Sequence, residues 1–268
     1  MKNILLLIHD DAGQEARLQV ALDLVRAVEG HLSCMDVTYI PPIIGGGYYE
    51  DSYAIATLVT QEAEREIANK AKLEARLANE GLSWDWKEAR GAFVPCLVRT
   101  ATLADAIIVD RQLGDFSFPD TRWAVNELIV RSGNNVIAVP PDHPQFDTSS
   151  AMVAWDGSRS AGAALRAAVP LLRIAERVIL VEAEDRSITV PAEDAARYLS
   201  RHGIHPEIRR LKSLPREAGA TLLSEARGSD YGYCIMGGFS HLRLTEALFG
   251  GVTRSMLANS PIPVFLTH

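Results

Sequence analysis

The chain has 268 residues, 47% hydrophobic and 23% charged, with a formal net charge of −7, the balance of a folded protein with a real core. That charge speaks against a general nucleic-acid binder, whose backbone affinity comes from clustered Lys and Arg, and no run approaches the roughly 20 apolar residues of a membrane-spanning helix. Cys34, Cys96 and Cys234 form no C-x-x-C pair, which argues against a disulfide framework or a thiolate zinc site; with Ile4 to Ile8 too close to Met1 and without a small-residue cleavage site for a secretory signal, cytoplasmic residence is the expectation.

In chain order the same series of elements is predicted twice. An apolar run from Asn3 to Ile8 ends at His9-Asp10 and leads into an amphipathic stretch from Gln14 to Val28. A second strand follows at His31 to Ile40, a helix around Ala54 to Glu80 and a third strand at Ser83 to Arg90. A short helix near Val94 to Thr100 precedes strand Ala106 to Asp110, helix Arg122 to Arg131 and strand Asn135 to Val139. After a proline-rich linker beginning Pro140-Pro-Asp-His-Pro144, the series restarts with Ala151 to Trp155, Asp156 and a helix from Ser160 to Arg173. It continues with strand Arg177 to Glu184, helix Ala192 to His202, strand Pro206 to Lys212 and helix Pro215 to Ala226. Strand Tyr233 to Gly237, helix Arg243 to Ala258 and strand Ile262 to Thr267 close it.

Short apolar strands alternating with helices predict an α/β fold with parallel pairing and right-handed crossovers. The expected architecture is two tandem doubly wound units, each a five-stranded sheet of order 3-2-1-4-5, over residues 1–141 and 150–268. Matching Asp10 to Asp156 gives an offset of 146 at the first strand, and Val136 to Pro263 gives 127 at the last. Residues 1–145 carry 13 Lys and Arg against 21 Asp and Glu, a balance of −8, whereas residues 146–268 carry 14 against 13, a balance of +1. An anionic ligand is therefore expected in the second unit.

Ligands of open parallel sheets bind beyond the carboxyl ends of the strands, where strand order reverses. After the second unit's fourth strand come Gly237-Gly238-Phe239-Ser240-His241 and, later, Gly250-Gly251-Val252-Thr253-Arg254. Glycines allow close backbone approach, and turn N–H groups with the Thr253 hydroxyl can donate to an anion. His241, Arg243 and Arg254 would add a cationic rim, although Arg243 and Glu246 can also pair along one helix face. The runs Ile235 to His241, Leu248 to Arg254 and Ser260-Pro-Ile-Pro-Val-Phe-Leu266 resemble the C-terminal signature of the universal stress protein family, and the whole chain resembles its tandem form.

The resemblance implies ATP or a related adenine nucleotide in the second unit, with Mg accompanying it. On the family's pattern Gly237 matches the first motif glycine and Gly250 the third, while Ser240 stands at the second and Gly251 at the following Ser/Thr position. Val252 and Thr253 fit the continuation, Asp156 matches the first-strand aspartate with Trp155 before it, and Ala183 matches the position whose backbone faces adenine. The first unit carries Asp110 at the first glycine position, which makes it a degenerate copy. The family further implies that the units pack through their closing strands as an internal pseudo-dimer, with homodimers of whole chains as a further option. The function so implied is regulatory or protective, read by a protein partner; ATP hydrolysis would be slow at most, since no base or Walker Ser/Thr is identifiable. The alternative is an interaction protein with both sites decayed.

Other signals are weaker. Gly45-Gly-Gly47-Tyr48-Tyr49 suggests a surface loop or a lid, and Trp84 and Trp86 share one face of their strand. Ser158-Arg-Ser160-Ala-Gly162 lacks the first glycine of a hydrolase nucleophile elbow, and no His or Asp is placed to complete a triad.

Overall fold

The computed structural model describes residues 1–39, 49–111, 122–184, 188–214, 217–238 and 251–267. In the first half the elements are β1 (Asn3–Ile8), α1 (Gln14–Val28), β2 (His31–Tyr39), α2 (Tyr49–Leu77), β3 (Ser83–Gly91), α3 (Phe93–Thr100), β4 (Ala106–Asp110), α4 (Arg122–Ser132) and β5 (Asn135–Val139). In the second half they are β6 (Ser150–Trp155), α5 (Arg159–Leu172), β7 (Arg177–Glu184), α6 (Ala192–Ser200), β8 (Glu207–Lys212), α7 (Ala218–Gly228), β9 (Tyr233–Gly237), α8 (Gly251–Asn259) and β10 (Val264–Thr267).

Among the described residues ten strands form one sheet of order β3-β2-β1-β4-β5-β10-β9-β6-β7-β8. Each half thus has the expected order 3-2-1-4-5, and the halves meet where β5 and β10 pair antiparallel, Ile137 opposite Phe265. Every other strand pairing is parallel. The central strands are buried on both faces because helices cover both. Ile4, Leu6 and Ile8 face a core with α1 and α2, continued by Ala151, Val153 and Trp155 under α5 and α6. Leu5, Leu7, Met152 and Ala154 face the opposite core under α3, α4, α7 and α8.

This two-face alternation fixes the internal register. Aligning acid with acid at Asp10 and Asp156 is one residue out, because a one-residue slip exchanges the faces of a strand. Ile8 pairs with Asp36 and Trp155 with Glu182, so Ile8 is the counterpart of Trp155, His9 of Asp156 and Asp10 of Gly157. The offset is 147 at the first strand and, by the same reasoning, 128 at the last, where Ile108 faces Ile137 and Ile235 faces Phe265. Ile137 and Phe265 are therefore counterparts that also pair with each other, and the pseudo-two-fold axis passes between them.

The linker is docked. Phe146 is buried against Tyr233, ring centroids 5.3 Å apart, and its N–H donates to Asp23 of α1 at 2.9 Å. Helix α8 begins at Gly251, so within the described residues the predicted helix Arg243 to Ala258 is seen only from there.

Candidate functional site

Strand order reverses between β1 and β4 in one half and between β6 and β9 in the other, so the candidate site lies beyond the ends of β6 and β9. Past Trp155, the exposed Asp156 accepts the Ser158 N–H at 2.9 Å through Oδ1, an Asx turn that leads into α5. Ser158 is the N-cap, its Oγ accepting from the Ala161 N–H at 3.1 Å and lying 3.1 Å from the Ser160 hydroxyl. Gly157 between them has φ of +73°, and a Cβ there would lie 2.5 Å from the Val190 nitrogen. The segment before α6 thus crosses directly over Gly157: Thr189 Oγ1 donates to Gly157 O at 2.9 Å, and the buried Trp155 indole N–H donates to Val190 O at 2.8 Å.

Ala183 is half-buried near the end of β7, opposite Leu211. Its neighbour Glu182 is buried and satisfied, accepting from the Ala192 N–H at 3.1 Å and from Arg210 Nε at 3.0 Å. Gly251 and Val252 form the first turn of α8 with Thr253, which is buried; this helix covers the face opposite α5. The structure therefore gathers Trp155, Asp156, Ala183 and Gly237 at strand ends, with Gly251, Val252 and Thr253 on the other side of the sheet. Ser240, His241 and Gly250 lie outside the described residues, as do Arg243, Glu246 and the Gly45 to Gly47 stretch.

Gly237 ends β9 where α5 begins. A Cβ on it would lie 2.7 Å from Ser160 Oγ, so the helix start leaves no room for a side chain on the strand. In the first half the sizes are exchanged: Asp110 ends β4, Gly13 precedes α1, and a Cβ on Gly13 would lie 2.7 Å from the Asp110 carboxyl carbon. In the second half the strand end is bare because the α5 backbone itself closes on it, with Ala161 N 2.4 Å from a Cβ on Gly237, whereas in the first half the helix start is bare and the Asp110 side chain fills the space.

Asp110 is fixed by a residue that sequence reading missed. Arg17 is fully buried and ion-paired to Asp110; it also donates to Leu7 O (3.2 Å), His9 O (3.0 Å) and Asp11 (2.9 Å). Burial lowers its pKa, against the raising effect of Asp11. Beside it His9 Nδ1 lies 2.7 Å from Glu66 Oε1 of α2. Burial pushes Glu66 up, but the His9 contact and hydrogen bonds from the Asp10 N–H and Asn69 outweigh it, leaving the carboxylate below its ordinary value. A charged residue inside the apolar pattern of Gln14 to Val28 was the available signal for Arg17, but its partner could be named only once the strands were in register. The first half thus fills its switch point with an internal charge network.

No protein-family model and no curated protein matches the chain. Among solved structures it is similar to a universal stress protein from Archaeoglobus fulgidus DSM 4304, at 16% identity and TM-score 0.73, over 100% of this chain and 98% of that one. It is similar also to a candidate universal stress protein from Pseudomonas aeruginosa UCBPP-PA14 (16%, TM-score 0.61, 100% and 93%). A functionally unknown protein from Pseudomonas aeruginosa PAO1 is a third (15%, TM-score 0.62, 100% and 92%). Fold and site together define a doubled, doubly wound α/β chain whose first switch point is filled by Asp110 and Arg17 and whose second carries the glycine end of β9 against the start of α5. At these identities the likeness is one of fold, and that fold, over the full length, is the one seen in solved universal stress protein structures.

Proposed function

We propose that the second half binds ATP or a related adenine nucleotide and that the protein acts by regulation or protection rather than as a dedicated enzyme. One observation carries this reading. The switch point that Asp110 and Arg17 fill in the first half is occupied in the second by Gly237, two serine hydroxyls and the N-terminus of α5. A helix N-terminus lined by hydroxyls favours anions, and this half carries the more positive charge balance, +1 against −8. Asp156 would accept from ribose hydroxyls, and the Ala183 backbone would face the base. The phosphates would meet the Gly250 to Thr253 region, with Mg held by the phosphates and solvent. The nucleotide would bias a surface read by a protein partner in the cytoplasm, and hydrolysis would be slow at most.

A second reading has its own observation: Thr189 and Val190 already close over Gly157 and Trp155, as in an interaction protein that has given up its ligand. The two are separated by assaying the purified protein for retained nucleotide and titrating ATP against wild type and Gly250→Asp. The expected result is saturable binding that the substitution abolishes. Absence of binding at millimolar ATP overturns the nucleotide reading, and binding indifferent to the substitution places the phosphates elsewhere.

A further inference from the structure

The two halves differ at another matched position, on the neighbouring strands. Glu182 on β7 pairs with Arg210 on β8, and the arginine donates to it. Its counterpart Asp36 on β2 pairs with Glu88 on β3, so the first half places an acid where the second places the neutralising base. Asp36 is only 5% exposed, and its Oδ1 has no hydrogen-bond partner. The carboxylate lines a groove of about 380 Å³ between α2 and the ends of β2 and β3.

The groups facing Asp36 come from each element packed around it. From α2, Glu66 is engaged by the Asp10 N–H and Asn69, and Lys70 is engaged by Glu88. From β3 come Glu88 itself, the Trp86 indole and, at the rim, Arg90. The other two carboxylates are therefore satisfied within the protein, whereas Asp36, faced by the Trp86 indole and attracted by Lys70, keeps its Oδ1 without a partner. Ile67, 70% exposed on α2, gives the same groove an apolar wall. Among the described residues no group of three or more ligating side chains converges as a metal ion requires.

We propose that this groove binds a small organic cation, a primary ammonium bearing a short alkyl chain, anchored by the Asp36 carboxylate with the chain laid along Ile67. Charge complementarity supports it, since the first half carries a balance of −8. So does the cost of leaving a buried acceptor unmet, which a donor from the ligand removes. Burial, followed by the negative charges of Glu66 and Glu88, pushes Asp36 up to about 7, so the anchor is ionised only at mildly alkaline pH. Occupancy of the nucleotide site plays no part.

The test is a titration of the full chain, without nucleotide, with n-butylamine at pH 8, followed through the NMR signal of the Trp86 indole N–H. A saturable shift at millimolar amine is expected, with none from 1-butanol. From pH 8 to pH 6 affinity should fall about tenfold, following the ionised fraction of Asp36. Asp36→Asn should weaken binding at least about tenfold and remove the pH dependence, the size expected for a charge-assisted hydrogen bond. Glu88→Arg, which rebuilds the Glu182–Arg210 arrangement, should abolish binding while leaving a folded and more heat-resistant protein. An equal response to 1-butanol, no saturation in the tens of millimolar, or binding that survives Glu88→Arg would each overturn the proposal.

Discussion

At the scale of single residues, the exchanged pair Asp110/Gly13 and Gly237/Ser160 is the most exposed to test. Gly237→Ala forces overpacking against Ser160, with an expected loss of about 1–3 kcal/mol in urea unfolding. The nearest atoms are backbone, the Ala161 nitrogen at 2.4 Å and the Ser160 carbonyl carbon at 2.5 Å, so adding Ser160→Gly should return little of that loss; full recovery in the double variant would refute this packing. Arg17→Leu would leave the buried Asp110 carboxylate, and the half-buried Asp11, without their partner, at a cost of about 3–5 kcal/mol. Adding Asp110→Asn should recover part of it. Asp36 is a buried carboxylate whose pKa is raised on folding, chiefly by burial. Between its ordinary value of 3.8 and about 7 the folded chain keeps a proton that the unfolded chain releases. The stability from this group is full below that window and is lost as pH rises through it. Asp36→Asn should therefore melt progressively higher than wild type as pH goes from 4 to 8, and a difference constant with pH would count against the assignment.

Among the elements, strands and helices were legible because short apolar runs and amphipathic stretches alternate cleanly. Asn3–Ile8, Arg177–Glu184, Ala106–Asp110 and Tyr233–Gly237 agree with the predicted bounds residue for residue. Pairing across strands was not legible, since it depends on which face each side chain takes. That is why Asp10 was matched to Asp156, and why Arg17, the His9–Glu66 contact and the Asp36–Glu88 juxtaposition went unread. Asp36 stood out only as an acid in an otherwise apolar strand, and nothing in one dimension says that Glu88 lies beside it while Arg210 lies beside Glu182. Gly237 was legible as a glycine, but its closeness to Ser160 assigns it a packing role that motif reading does not supply. The segment before α6 carries its own prediction. Trp155→Phe deletes the donor to Val190 O, at about 1 kcal/mol, and should speed hydrogen exchange at the N-terminus of α6 while β6 stays protected.

For the whole molecule, the antiparallel joint between β5 and β10 turns two units into one ten-stranded sheet. Phe265, buried on the pseudo-two-fold axis, is its centre, and the Arg111 side chain adds a 2.6 Å hydrogen bond to Ser260 O across it. Heat unfolding should be a single transition in calorimetry, and Phe265→Asp should split it in two. The midpoint should not change on dilution, because the partners of the joint belong to one chain. A concentration-dependent midpoint would mean that whole chains associate through another surface; β3 and β8, the outer strands of this sheet, carry Lys87, Glu88, Arg209 and Arg210 against such pairing.

That the joint is intramolecular has a consequence for what the protein could become. In a dimer of identical subunits, any change at the end of the fourth strand appears at both switch points at once, so a carboxylate plug on one side dictates a plug on the other. Joining the two units in one polypeptide releases that constraint. Position 110 can hold an aspartate locked to Arg17 while position 237 keeps a bare backbone, and Asp36 can lose the arginine that Glu182 retains. The two halves share the symmetry of the scaffold while their strand ends carry different side chains, an ion-paired carboxylate in one and a bare glycine in the other.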